Sequence, residues 1–282
     1  MSRQTRRLRP LHAILATALL PAAAAWAQPS QGPEEPRTWL TVEAMAGHWR
    51  MQTRGDTFDP FSPPATDGFL SGTRINTETD LGLPRNKLVA GIAFGRRIGQ
   101  HWRIEVNHTT GKREGSAVLA RSLTVDGRTY DAGTTLESRV GVSTLAILGG
   151  WSTQPAPGTE AGVLVGGQWV RVSRWFHTQG SSLDFASSNH ETAPVPVVGA
   201  FAHHQLTPQW RLDGRLTASR SSNYQATAGV QWRAHRNLAL GAAYRVTRHR
   251  LDVESITLIG WAGTLVVDAT IHGPMFTVMA AF

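Results

Sequence analysis

Charged side chains recur in this sequence at alternate positions, and that spacing decides what chemistry they can do. The segment His101-Trp-Arg-Ile-Glu105 is echoed by Gln209-Trp-Arg-Leu-Asp213, so each carries an arginine and a carboxylate two residues apart. On an extended strand, positions i and i+2 share a face. Arg103, Glu105 and Asn107 therefore project together, as do Arg211, Asp213 and Arg215 from a second strand, with Glu43 and Arg245 on the corresponding faces of theirs. Facing one another across an enclosed space, these groups can pair into a salt-bridged plug. With arginines left over they can instead line a passage that favours anions. The close alternation of signs favours the paired network.

Three histidine settings offer acid–base or nucleophilic chemistry: His108 with nearby hydroxyls, His190-Glu191, and His249 with Asp252. None stands in a motif, and eleven histidines in one chain make such neighbours common by chance. His108 also falls on an apolar face. An outer-leaflet lipid hydrolase or a surface protease is therefore carried only as an alternative, with no catalytic residue assigned. Asp56, Asp59 and Asp67 lack the spacing of a calcium loop. The chain has no cysteine, which excludes disulfides, thiolate metal sites and cysteine nucleophiles. No metal and no cofactor is expected.

The elements that must position these residues are strands. Alternation of apolar and polar residues predicts strands over 39–51, 86–97, 102–113, 136–151, 162–174, 194–206, 210–220, 224–233, one from 238, and a last one ending at Phe282. In 86–97, Leu88, Ala90, Ile92 and Phe94 face out. In 194–206, Val195, Val197 and Phe201 are placed outward. Leu145, Ile147 and Leu148 break parity, which predicts a bulge. Short links are expected at 98–101, 152–161, 207–209 and 234–237. Long polar segments are expected at 52–85, 114–135 (with a hairpin tip at Asp126-Gly127) and 175–192, with another hairpin turning near 260–263. Ten antiparallel strands, with eight as the alternative, then form one all-β transmembrane up-and-down barrel with short periplasmic turns and long extracellular loops.

Residues 1–27 read as a secretory signal peptide. Arg3, Arg6, Arg7 and Arg9 precede an apolar stretch, and Ala25-Trp26-Ala27 suits signal peptidase. Arg9 stands where a twin-arginine signal wants an apolar residue, so the general route is expected, leaving a barrel over 28–282. Removing those four arginines takes the net charge from +8 to +4, which removes the case for nucleic-acid binding. No apolar run after residue 27 is long enough for a transmembrane helix.

Trp102, Trp151, Trp210 and Trp232 fall near strand ends on one side, with Phe282. Amphipathic rings favour the headgroup level, so these predict a periplasmic aromatic belt. Lys112, Arg113, Arg174, Arg220, Arg248 and Arg250 end ascending strands and predict a basic outer rim against lipopolysaccharide phosphates. The final stretch, Gly273 to Phe282, alternates apolar residues and stops on an aromatic ring. It resembles the C-terminal signature of Gram-negative outer-membrane proteins that the barrel-assembly machinery reads. The whole pattern resembles the small OmpX- and OmpW-like outer-membrane barrels, and Thr77-Glu-Thr-Asp-Leu-Gly-Leu-Pro84 resembles an uncharacterised proteobacterial branch of them. That resemblance implies an integral outer-membrane protein without enzymatic activity, in an envelope-structural or surface-interaction role. A narrow pore for small solutes is the alternative.

Overall fold

The computed structural model describes residues 37–57, 74–125, 128–179, 186–219, 223–256 and 262–282. The expected signal peptide, the 126–127 hairpin tip, Arg220, Asp59 and Asp67 lie outside the described residues. The strands are β1 (Thr38–Thr57), β2 (Ile75–Asn76), β3 (Asn86–Ile98), β4 (Trp102–Val118), β5 (Leu123–Val125), β6 (Arg128–Tyr130) and β7 (Thr135–Ala156). They continue as β8 (Thr159–Gln179), β9 (Ala186–Gln205), β10 (Trp210–Ser219), β11 (Asn223–His235), β12 (Leu238–Ile256) and β13 (Ala262–Ala281).

One antiparallel sheet holds eleven of these in the order β13-β12-β11-β10-β9-β8-β7-β4-β3-β1-β2, and β13 also pairs with β1. The two-residue β2 is an appendage on β1, so ten staves close the barrel. Closure runs from Trp39 opposite Ala281 to Thr57 opposite Gly263. A closed sheet has no edge, which removes the unpaired N–H and C=O groups that a bilayer does not tolerate. The small pair β5–β6 forms a sheet of its own, and its Leu123 and Tyr130 join the core inside the barrel. Among the described residues there is no helix.

Five staves (β1, β4, β7, β8 and β9) are taller than the sequence pattern suggests, while β3, β10 and β11 keep close to the expected lengths. β1, β9 and β13 have 20 residues, β7 has 22 and β8 has 21, where about 9–11 suffice to cross a bilayer. Residues 114–118, 152–156, 175–179 and 186–192, expected in loops or turns, are strand. The reason is an inversion of facing chemistry along the tall staves. Near the end with tight turns, outward residues are apolar and inward ones largely polar, as with Val42 and Ala44 against Thr41 and Glu43. Toward the other end the pattern reverses. His48, Arg50 and Gln52 face out on β1, while Trp49 and Met51 are buried inside. On β8, Arg171 faces out and Val170, Val172 and Phe176 face in. A polar outward face looks like loop when the search template is a lipid-facing strand.

Two facing assignments change. The pairing of β7 with β8 runs unbroken from Thr135 to Thr153, and its irregularity falls at Thr153/Ala156, so there is no bulge at 145–148. Leu145 and Ile147 face out while Leu148 is buried inside. On β9 the facing is the reverse of the expectation: Val197 and Phe201 are buried inside and Val198 is exposed. Both differences share a cause. Leu148, Leu164, Val197 and Phe201 form a small apolar cluster in an otherwise polar part of the lumen.

Candidate functional site

In the half of the barrel nearer the tight turns, the inward charges surround a cavity of about 230 Å³. Glu43, Arg103, Glu105, Asn107, Arg211, Asp213, Arg215 and Arg245 all line it. The alternation that puts an arginine and a carboxylate two residues apart aims both into the same space, and neighbouring strands bring the counter-charges. Arg245 Nη1 donates to Glu43 at 2.7 Å, and its Nε to the Thr227 hydroxyl at 3.3 Å. Arg215 Nη1 donates to Glu105 at 2.5 Å, and Arg103 Nη1 reaches the other oxygen of Glu105 at 3.5 Å. Asp213 lies 2.8 Å from Arg211 Nε and 2.6 Å from His203 Nδ1.

The floor is built from Arg103. Its second amino group donates to Glu160 at 2.7 Å, which also takes Arg97 at 2.6 Å. Its guanidinium lies 4.0 Å from the Phe201 ring centre and 5.6 Å from that of Trp39, a spacing that suits cation–π attraction. Trp39 can lie across the lumen only because residue 95 is glycine, since a Cβ there would stand 2.1 Å from the indole. Glu160, His203, Trp39 and Phe201 belong to the site although sequence reasoning did not single them out. Odd-numbered parity, shared with Thr41 and Glu43, is the signal that would have found Trp39. His203 shares parity with Phe201, which the sequence reading placed outward.

Above the chamber the lumen is filled by apolar side chains. Met45, Trp49, Met51, Val140, Val142, Val170, Val172, Phe176, Val267, Ala269 and Ile271 form one buried cluster that continues into Ile75, Leu81, Leu83, Leu119 and Leu123 of the loops. Trp49 is fully buried, packed against Gly111, where a Cβ would come within 2.5 Å of its ring. The stretch Thr77 to Pro84 closes this core. Glu78 accepts hydrogen bonds from Arg113 Nη1 at 2.5 Å and from the Met51 amide at 3.2 Å, and Arg113 Nη2 donates to the Thr77 hydroxyl at 2.8 Å. The Arg113 guanidinium also stands 4.9 Å over Trp49. Outside this latch, Arg121 pairs with Asp80 at 2.8 Å.

The expected basic rim divides accordingly. Lys112 and Arg250 are exposed, and Arg248 is half-exposed beside Asp268 at 2.9 Å. Arg113 and Arg174 are buried inside and do not face lipid. Adjacent residues on a strand point to opposite faces, so Lys112 and Arg113 cannot both lie on the outer wall. Arg220 lies outside the described residues.

The four belt tryptophans stand exposed at the turn end. Trp102 is paired opposite Trp151, and Trp210 opposite Trp232 with ring centres 6.4 Å apart. Phe282 is exposed at the same end. Of the histidine candidates, His108 faces outward, paired between Ile92 and Leu145. His249 is buried inside with its Nδ1 unpartnered. The side chains of His190, Glu191, Asp252 and Asp56 lie outside the described residues. No group of three or more His, Asp or Glu that could hold a metal occurs among the described residues.

The outward apolar band fixes the class. On β3 it runs from Leu88 through Ile92 and Phe94 to Ile98, all exposed. Ten residue steps at ~3.3 Å, tilted by ~40°, give ~25 Å of height, the hydrocarbon band of an outer-membrane barrel. A closed ten-stave barrel with that band and an aromatic girdle is an integral outer-membrane β-barrel of the Gram-negative type, with its tight turns periplasmic and its long hairpins extracellular.

No family model and no curated protein matches the sequence. Among solved structures, the chain is similar to the translocator domain of the autotransporter NalP from Neisseria meningitidis. The identity is 11%, over 88% of this chain and 90% of that one, with a TM-score of 0.46. It is also similar to Ail, the attachment invasion locus protein of Yersinia pestis, in complex with the heparin analogue sucrose octasulfate (10% identity, 86% and 99% covered, TM-score 0.32). Neisserial surface protein A is a third (11% identity, 87% and 97% covered, TM-score 0.30).

Proposed function

We propose that the protein is a non-conducting, non-enzymatic envelope barrel whose working surface is the wall and hairpins that stand above the outer leaflet. The observation that carries this reading is the dry core over the chamber. Trp49, Val140, Val170 and Val267 meet inside the lumen fully or almost fully buried, and the Glu78–Arg113 latch holds the Thr77–Pro84 segment over them. Ions do not cross a packed apolar layer without opening it. Half of each tall stave is then committed to holding hairpins away from the membrane, which is an expensive arrangement for a passive plug and a suitable one for surface contact. On this reading Lys112, Arg248 and Arg250, on the outward face of the wall, are the groups that meet lipopolysaccharide phosphates.

Planar-bilayer recording tests this directly. The purified, refolded protein is expected to leave the baseline conductance unchanged, and removing the latch with Glu78→Ala plus Arg113→Ala should produce intermittent openings. Steady ohmic channels from the wild type would overturn the reading.

A further inference from the structure

Beneath the apolar core the lumen keeps open space in the very place where opposite charges could have closed on one another. We propose that this chamber is a binding site for a small oxyanion, a carboxylate or phosphate group that enters from the periplasm. The inference rests on the closed-lumen reading only in that entry and exit are from the same side.

The charges around the cavity and its floor do not balance. Five arginines (Arg97, Arg103, Arg211, Arg215, Arg245) face four carboxylates (Glu43, Glu105, Glu160, Asp213), and His203 adds a further ring nitrogen. Three of the carboxylates are already shared: Glu160 between Arg97 and Arg103, Glu105 between Arg215 and Arg103, Asp213 between Arg211 and His203. Arg215 spends Nη1 on Glu105 and keeps 26% of its side-chain exposure on the cavity wall. A guanidinium presents its N–H groups in a fork that fits a carboxylate or phosphate edge. An oxyanion can accept from the exposed part of that guanidinium without displacing the pairs already formed.

The surroundings define the ligand further. Asn107, Gln225, Gln231 and Thr227 also line the space, offering neutral hydrogen bonds to the remainder of a polar molecule. The volume of about 230 Å³ lies below the range of drug-sized pockets, about 300–1,000 Å³. A single phosphate or a short dicarboxylate fits, whereas a nucleotide or an oligosaccharide does not. Water reaches the charged wall, since the side chains of Asp213 and Arg215 keep 29% and 26% of their exposure.

The test is isothermal titration of the full mature protein, folded in detergent micelles, with succinate and with inorganic phosphate in separate runs. Saturable binding of at least one is expected, and which one binds distinguishes a carboxylate from a phosphate ligand. Arg215→Gln should weaken it by about tenfold or more, since a charge-assisted bond is lost. Asn107→Phe fills the chamber without altering any charge or any of the ion pairs around it, so it keeps the test decisive if Arg215→Gln fails to fold. It should abolish binding, while Arg171→Gln on the outer wall should leave it unchanged. No saturable binding of either anion by the folded wild type overturns the proposal, and so does binding that survives Asn107→Phe. Neither result bears on whether the barrel conducts, so the two readings fail separately.

Discussion

The two halves of the lumen are built from the same staves and obey opposite rules. In the lipid-embedded half the outer wall is apolar and the interior carries Arg103, Glu105, Arg215, Glu43 and Arg245 around an open space. In the extracellular half the outer wall carries Arg50, Lys112, Glu114 and Arg171, and the interior is a packed, mainly apolar core that also encloses Arg113, Arg174 and His249. The upper half thus resembles a small soluble barrel set on a membrane barrel. The hydrophobic effect buries apolar surface against whichever medium is not water. Lipid serves that purpose below, so the interior can be wet. Water surrounds the upper wall, so the apolar side chains must turn inward.

A charge placed in the dry half should break this comparison most visibly. Val170 is fully buried, paired opposite Thr144 at the base of the apolar core. Val170→Asp puts a carboxylate there with no cationic partner and at most the Thr144 hydroxyl beside it, and is expected to cost about 4 kcal/mol. Urea titration of the refolded protein, followed by the heat-sensitive gel mobility of the folded barrel, measures it. A loss below 1 kcal/mol would mean that water already fills the upper lumen.

The latch gives the next largest effect. Arg113 has no exposed surface and Glu78 keeps 6%. Removing one partner of a buried pair strands the other, so Arg113→Met should cost about 3–5 kcal/mol. Adding Glu78→Gln should recover most of that, since the amide oxygen still accepts the Met51 N–H and no charge remains buried. If the double variant is as unstable as the single one, the segment 77–84 is held by Leu81 and Leu83 and not by the ion pair.

How much of this was legible in the sequence follows from the same inversion. The lower half was readable because it fits one template, apolar outward and charged inward. The repeated Trp-Arg-apolar-acid starts put Arg103, Glu105, Arg211 and Asp213 in the lumen on parity alone. The tight turns and the closing pair of β1 with β13 followed from strand count. The upper half was missed because that template fails there. Arg113 and Arg174 read as rim residues because they end ascending strands, although Lys112 and Arg171 already occupy the outward positions. Segments such as 175–179 looked like loop because a strand in water has a polar outer face. Phe201 and Leu148 depart from expectation for a related reason: an apolar inward residue in a polar lumen reads as outward at Phe201 and as a break in parity at Leu148. No local rule says how far a stave rises above the bilayer, and that height decides which template applies.

The smallest expected effect sharpens the contrast from the wet side. Arg245 pairs with Glu43 at 2.7 Å, a distance close to that of the Arg113–Glu78 latch at 2.5 Å. Contact geometry alone therefore predicts similar penalties for breaking either pair. The surroundings predict otherwise. Glu43 borders a cavity of about 230 Å³, large enough for several waters at about 30 Å³ each, and it retains 14% of its side-chain exposure. A carboxylate stranded there can be resolvated by water, so Arg245→Met should cost only about 1–2 kcal/mol, less than half the Arg113→Met penalty. The same urea titration reads both variants under identical conditions. Equal losses would mean that the chamber is as dry as the core above it, and the distinction between the two halves would then lie in composition alone.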